Sequence, residues 1–185
     1  MWKSKEQMLD PDARYLSEAR VDPITRAIRR PEIGDLYDDM AEFSLPASVP
    51  NKIIRQFDIA RSVYVYSWFD YEMITLAEEH AYTVIEMAIR ERAKDEKTGM
   101  NERTGMRGAI DHARARGWLS DDDYGAMETG GKSIPFLTML SELRNDLLHG
   151  NPRLSAIATY QMLEVVFGIL VKLFPPATSD GRSVV

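Results

Sequence analysis

From Asn51 onward, apolar residues return every three or four positions, the period of an amphipathic helix. Ile53, Ile54, Phe57, Ala60, Val63, Tyr64 and Trp68 mark a first helix over about 51–69, with Asn51 as its N-cap. Met73, Ile74, Ala77, Ala81, Val84, Ile85, Ala88 and Ile89 mark a second over about 70–93. No Gly or Pro separates the two. One helix of about forty residues would far exceed the usual length, so a break is expected near 67–71. After a Gly-containing loop over 97–108, a short basic helix is expected over about 106–116, ended by Gly117. Ser120 then caps an acidic turn, Asp121-Asp122-Asp123, and residues 125–133 read as a further loop. The next helix begins near Ser133 or Ile134, with Pro135 in its first turn, and runs to Gly150. The last, over about 154–174, is apolar nearly all round, which places it centrally or at an oligomer interface. Pro175-Pro176 stop it.

Residues 1–50 are patterned differently. Pro11, Pro23, Pro31, Gly34, Pro46 and Pro50 interrupt a weak period. Asp22 and Pro23 have the residue types of an N-cap and first helical position, with Ile24, Ala27 and Ile28 as the apolar side of a short helix that Pro31 stops. Another short turn is expected over 35–43. The segment is read as a partly irregular N-terminal arm, packed onto its neighbours by scattered apolar residues or else disordered alone. No strand pair is evident. The expected architecture is therefore all-α: an antiparallel helical bundle over 51–174, an irregular arm over 1–50 and a mobile tail over 175–185.

Composition narrows the chemistry. The 185 residues contain no cysteine, which excludes disulfides, thiolate-bound zinc and a thiol nucleophile. The first residues lack the apolar core of a signal peptide, and the longest apolar run, 165–171, is too short to span a bilayer. A cytoplasmic protein without a membrane partner is expected. The net charge of −6 opposes bulk attraction to nucleic acid, yet residues 90–116 hold eight Lys/Arg against five Asp/Glu. That stretch is either a solvated helix end or a patch that faces RNA. The aromatic run Tyr64, Tyr66, Trp68, Phe69, Tyr71 fits a base-stacking platform, but continues the apolar stripes and so fits a core or dimer contact better.

Three motifs offer chemistry. Ala126 to Ser133 loosely matches a phosphate-binding loop, but lacks the buried strand that must precede it. None of His80, His112 and His149 has Glu three positions before it, so no carboxylate-bridged metal pair is expected, and no cofactor or metal is assigned. The third is Arg144-Asn145-Asp146-Leu147-Leu148-His149. On a helical wheel, Phe136, Leu137, Leu140, Leu143 and Leu147 form the core face, and Arg144 falls at its edge, on the row of Leu137 and Ser141. Asn145 and His149 are i, i+4 neighbours able to touch. Gly150 can supply a left-handed cap. Arg144 and His149 point well apart, so a site using both needs a bend, a spanning ligand or a second chain. Read structurally instead, Arg144 pairs with a carboxylate such as Asp70, Glu72 or Glu142, and His149 caps carbonyls.

The arrangement of an arginine, a polar residue and a histidine five positions after the arginine resembles the signature of the HEPN superfamily, and an all-α chain with the motif late and an apolar helix after it agrees. The resemblance covers about 51–174. It implies a bundle that dimerises and joins two motif copies in one cleft. It also implies a metal-independent endoribonuclease of toxin–antitoxin, phage-defence or RNA-processing type. His149 would then be the acid/base residue, Arg144 would hold the scissile phosphate, and Asn145 would orient one of them. RNA is the implied substrate, a second copy the implied partner, and an antitoxin a further one. Some family toxins have a tyrosine two residues after the histidine, where this chain has Asn151. Other members only bind nucleotides or partners, so the alternative is a non-catalytic nucleotide-binding or protein-interaction module.

Overall fold

The computed structural model describes residues 3–22, 24–101, 103–150 and 154–176. Among these are seven α-helices and two small hairpins. The elements run α1 (Ala13–Leu16), β1 (Arg20–Val21), β2 (Ile28–Arg29), α2 (Ile33–Ala41), α3 (Asn51–Tyr66), α4 (Met73–Asp95), α5 (Met106–Ala115), β3 (Ala126–Thr129), β4 (Lys132–Pro135), α6 (Phe136–Leu148) and α7 (Ala156–Leu173). The mostly helical character agrees with the sequence pattern.

Helix α4 is the centre. Its buried residues Ile74, Ala77, Ala81, Tyr82, Val84, Ile85, Ala88 and Ile89 cover more than one face, and α3, α5, α6 and α7 all pack on it. The small Ala side chains let neighbours approach closely; the Ile and Val side chains fill the space between them. Helix α3 lies antiparallel to α4: Lys52 at its start pairs with Glu91 near the end of α4. Helix α7 runs parallel to α4. Tyr71 Oη, before α4, accepts from Ala156 N–H at the start of α7 (3.0 Å), and Arg92 near the end of α4 donates to Leu173 O at the end of α7 (2.8 Å). The break between α3 and α4 falls at residues 67–72, as the pattern predicts. Asn51, however, is the first helical residue and Pro50 is the cap.

The aromatic run forms core. Tyr64, Trp68 and Tyr71 are buried, and Tyr66 alone of the five is exposed. Tyr15 inserts between Trp68 and Tyr71, with ring centroids 5.5 and 4.9 Å away, and shares a 2.6 Å hydrogen bond with Ser67 Oγ. Tyr15, Leu36, Met40, Phe43 and Val49 are buried in the same cluster as the later helices.

Two expectations fail locally. Residues 20–29 form a hairpin, not a helix: Asp22 Oδ1 accepts from Ile24 N–H and Thr25 N–H, Arg26 takes φ 59°, and β1 pairs antiparallel with β2. Asp22 thus closes a turn on itself where a helix N-cap would start a helix. Pro23, assigned to the first helical turn, lies outside the described residues. Residues 126–135 also form a hairpin, β3 with β4, in place of the expected loop. Gly130 and Gly131 sit at its turn with φ of 58° and 73°, the left-handed pair a two-residue hairpin turn needs.

Helix α7 is long and apolar enough, by length and composition, to cross a membrane, although its longest uninterrupted apolar run is short. Yet it packs on α3 and α4, and Thr159, Leu163, Val166, Ile169 and Leu170 are fully enclosed; a core helix passes the same test.

Candidate active site

Helix α6 starts at Phe136, and Pro135 is its cap, not a residue of its first turn. It packs on α4 and α5. Leu137, Leu140 and Ser141 are its buried residues, while Leu143 and Leu147 are only partly covered. The most buried row is therefore 137, 140 and 141, and Arg144, half-buried, is next in the i, i+3, i+4, i+7 series. Arg144 thus lies at the end of that row, the edge position expected of it. Its Nε is buried and has no hydrogen-bond partner, and among the described residues no carboxylate forms an ion pair with it. Of the carboxylates considered from sequence, Glu72 pairs with Arg14 at 2.8 Å. A guanidinium in that position has lost water along one edge and gained no anion in exchange.

His149 caps α6. Its N–H donates to Asn145 O (2.9 Å), and its side chain is exposed. Gly150 follows with φ 80° and donates to Leu147 O at 3.1 Å, the left-handed closure expected of it. The rise from Arg144 to His149 is about 7.5 Å, with roughly 140° between their directions. Asn145 is exposed, and the described contacts join it to His149 through backbone only. One chain thus brings the three residues to one helix end but does not converge them. Asn151 lies outside the described residues.

The motifs do not single out Arg107. It lies on α5 and lines a small cleft with Arg114, Thr138 and Ser141, beside the row that leads to Arg144. Arg114 is engaged by Asp121 and by Thr138 Oγ1 (2.8 Å), whereas Arg107 has no ion pair among the described residues. Its only signal in the sequence is membership of the basic 90–116 stretch.

The other two histidines have other surroundings. His112 Nε2 meets Thr98 Oγ1 at 2.9 Å and its ring stands edge-on to Trp118. His80 is partly buried on α4, with Nε2 unpartnered. The loose phosphate-loop match at 126–133 is excluded by geometry: Lys132 and Ser133 belong to β4, and no helix starts where a phosphate would need it.

Compared with known proteins, the chain matches no family model, no curated protein and no solved structure.

Proposed function

We propose that the chain is a metal-independent endoribonuclease of the HEPN type, acting as a homodimer in the cytoplasm and serving as a toxin or phage-defence effector. The observation that carries the reading is Arg144: a half-buried cation on α6, its Nε shielded and without an anion, five residues before an exposed histidine. A phosphate diester supplies the missing anion, and the guanidinium fork suits its two non-bridging oxygens.

The chemistry follows from these groups. The 2′-oxygen attacks the neighbouring phosphorus while His149 of one copy takes its proton. The P–O5′ bond breaks, and water protonates the leaving oxygen. Arg144 stabilises charge on the phosphoryl oxygens. The products are a 2′,3′-cyclic phosphate and a 5′-hydroxyl. Asn145 orients the histidine or the phosphate, and Arg107 is placed to hold an adjoining phosphate.

One helix does not converge Arg144 and His149, which supports a site shared between two copies. Leu148 at the motif's helix end is 50% exposed, and Ile157 at the start of the next helix, α7, is 70% exposed; such apolar side chains suit a contact between copies.

The test is incubation of purified protein with mixed RNA in EDTA, beside Arg144→Ala and His149→Ala, with end-group analysis. Cleavage that leaves cyclic phosphate and vanishes in both variants supports the reading; cleavage unchanged in both refutes it. A well-folded wild-type protein without cleavage would favour the non-catalytic alternative, a nucleotide-binding or protein-interaction module.

A further inference from the structure

At the far end of α4 from His149 lies a cavity of about 770 Å³, bounded by the end of α4, the start of α3 and the loop through Gly99. Its size falls within the roughly 300–1,000 Å³ usual for small-molecule sites. Four cations line it, Lys52, Arg90, Lys94 and Lys97, against one carboxylate, Glu91. Lys52 is held by Glu91, and Arg90 by Glu86 (2.6 Å). Lys94 and Lys97 have no carboxylate partner among the described residues. Ile53, Met87 and Met100 supply an apolar wall.

Lys97 decides the interpretation. Thr98 N–H donates to Ala93 O and Lys97 N–H to Lys94 O, the paired closure of a helix whose next residue turns left-handed. That residue is usually Gly, since a side chain is strained there. Here it is Lys97, at φ 52°. Lys94, in the last turn, is sufficiently explained by the helix dipole. Lys97 stands beyond the helix, in a conformation that disfavours a side chain, and lines the cavity.

We propose that this cavity binds a small organic diphosphate, with the phosphates on the lysines and the body on the apolar wall. Lysine ammonium groups suit phosphate as point charges. The lining has no aromatic ring to stack on a base and no side-chain amide to read one, so an aliphatic body fits better than a nucleobase. The site is separate from the α6 motif and does not depend on the ribonuclease reading.

The test is titration calorimetry of the full chain with geranyl diphosphate, ADP and inorganic pyrophosphate, three ligands that share a diphosphate head. Geranyl diphosphate is expected to bind about tenfold or more tightly than either ADP or pyrophosphate. Lys97→Gly should weaken that ligand about tenfold while leaving the melting temperature unchanged or raised, because Gly relieves the strained cap. Lys94→Ala should weaken it as well, and Arg144→Ala should not. Affinity for ADP or pyrophosphate equal to or above that for geranyl diphosphate, no binding at millimolar concentration, or affinity untouched by Lys97→Gly would overturn the proposal. Loss of binding in Arg144→Ala would overturn the placement of the site.

Discussion

Arg144 and His149 stand at the same end of α6 but in different environments: Arg144 is half-buried beyond Ser141 with its Nε shielded, while His149 is the exposed cap. The proposed homodimer pairs Arg144 of one chain with His149 of the other on one phosphate. Mixing Arg144→Ala with His149→Ala protein, each inactive alone, should restore activity. Each heterodimer holds one intact pairing of Arg144 from one copy with His149 from the other. With random exchange of subunits the mixture should regain roughly a quarter of wild-type cleavage. No recovery, in a mixture shown to exchange subunits, would mean that each chain needs its own pair.

The unpartnered Nε of Arg144 separates function from stability. A buried donor without a partner costs about 1–3 kcal/mol. Arg144→Met keeps the apolar stem and removes the donor. Its melting temperature should equal or exceed that of the wild type, a gain of about 2–4 °C for each kcal/mol recovered. RNA cleavage should fall by about a hundredfold or more, as for other lost charge-stabilising donors. Thermal melts and initial rates on the same preparations check both halves. A marked drop in melting temperature would assign Arg144 a structural role instead.

The contrast also shows what the pattern of residues reveals and where it stops. The helices with long apolar stripes, α3, α4 and α7, are legible because burial there follows a period of three to four. On α6 the same period misplaces the centre of the buried face. Leu143 and Leu147 look as apolar as Leu140, but α4 and α5 cover the 137–140–141 row, and no property of α6 alone decides that. The hairpin strands are too short to show alternation. At Asp22 the same side chain suits a helix cap and a turn, and packing chooses between them. The end of α6 is legible because Gly150 after His149 has one main structural use.

The turn at Gly130-Gly131 is a case where the signal is present in the sequence and yet reads as plain loop. Both residues need positive φ, so Gly130→Ala and Gly131→Ala should each cost about 1–2 kcal/mol. Since β4 leads directly into α6, the loss should appear as a lower melting temperature and faster amide exchange across 126–137. Unchanged exchange there would show that the hairpin does not anchor the start of α6.

Asp12 ties the beginning of the chain to the start of α4. Its carboxylate accepts from Arg14 Nε (3.0 Å), Arg14 N–H (3.0 Å) and Tyr71 N–H (3.2 Å). The side-chain bond from Arg14 is the main cause holding its pKa well below the usual carboxylate range. A lowered folded pKa contributes stability above the unfolded value, about 3.9, and that contribution is lost as pH falls through the folded value. Stability should therefore decline below about pH 4. Asp12→Asn should be destabilised at pH 7 by about 1–3 kcal/mol and should show a shallower acid decline. Denaturant titrations at pH 7, 4 and 3 measure it; parallel wild-type and variant curves would rule Asp12 out as the source.

Glu78 has the opposite sign. It lies on α4 under α7, accepting from Tyr82 Oη (2.8 Å) and from Thr159 Oγ1 (3.4 Å). Burial raises its pKa, and the two hydroxyl donors only partly counter that. The folded state thus holds this proton more tightly than the unfolded chain, whose glutamate titrates near 4.3. As pH rises from about 4.3 through the raised folded value, the unfolded state loses the proton first, so this group makes stability fall across the window. Glu78→Gln removes the titration while keeping a carbonyl oxygen for Tyr82 or Thr159 to donate to. The Glu78→Gln variant should be as stable as the wild type or more so at pH 7, and the difference should shrink toward pH 4. If instead the variant loses stability at pH 7, the bonds from Tyr82 and Thr159 hold the ionised carboxylate by more than its burial costs.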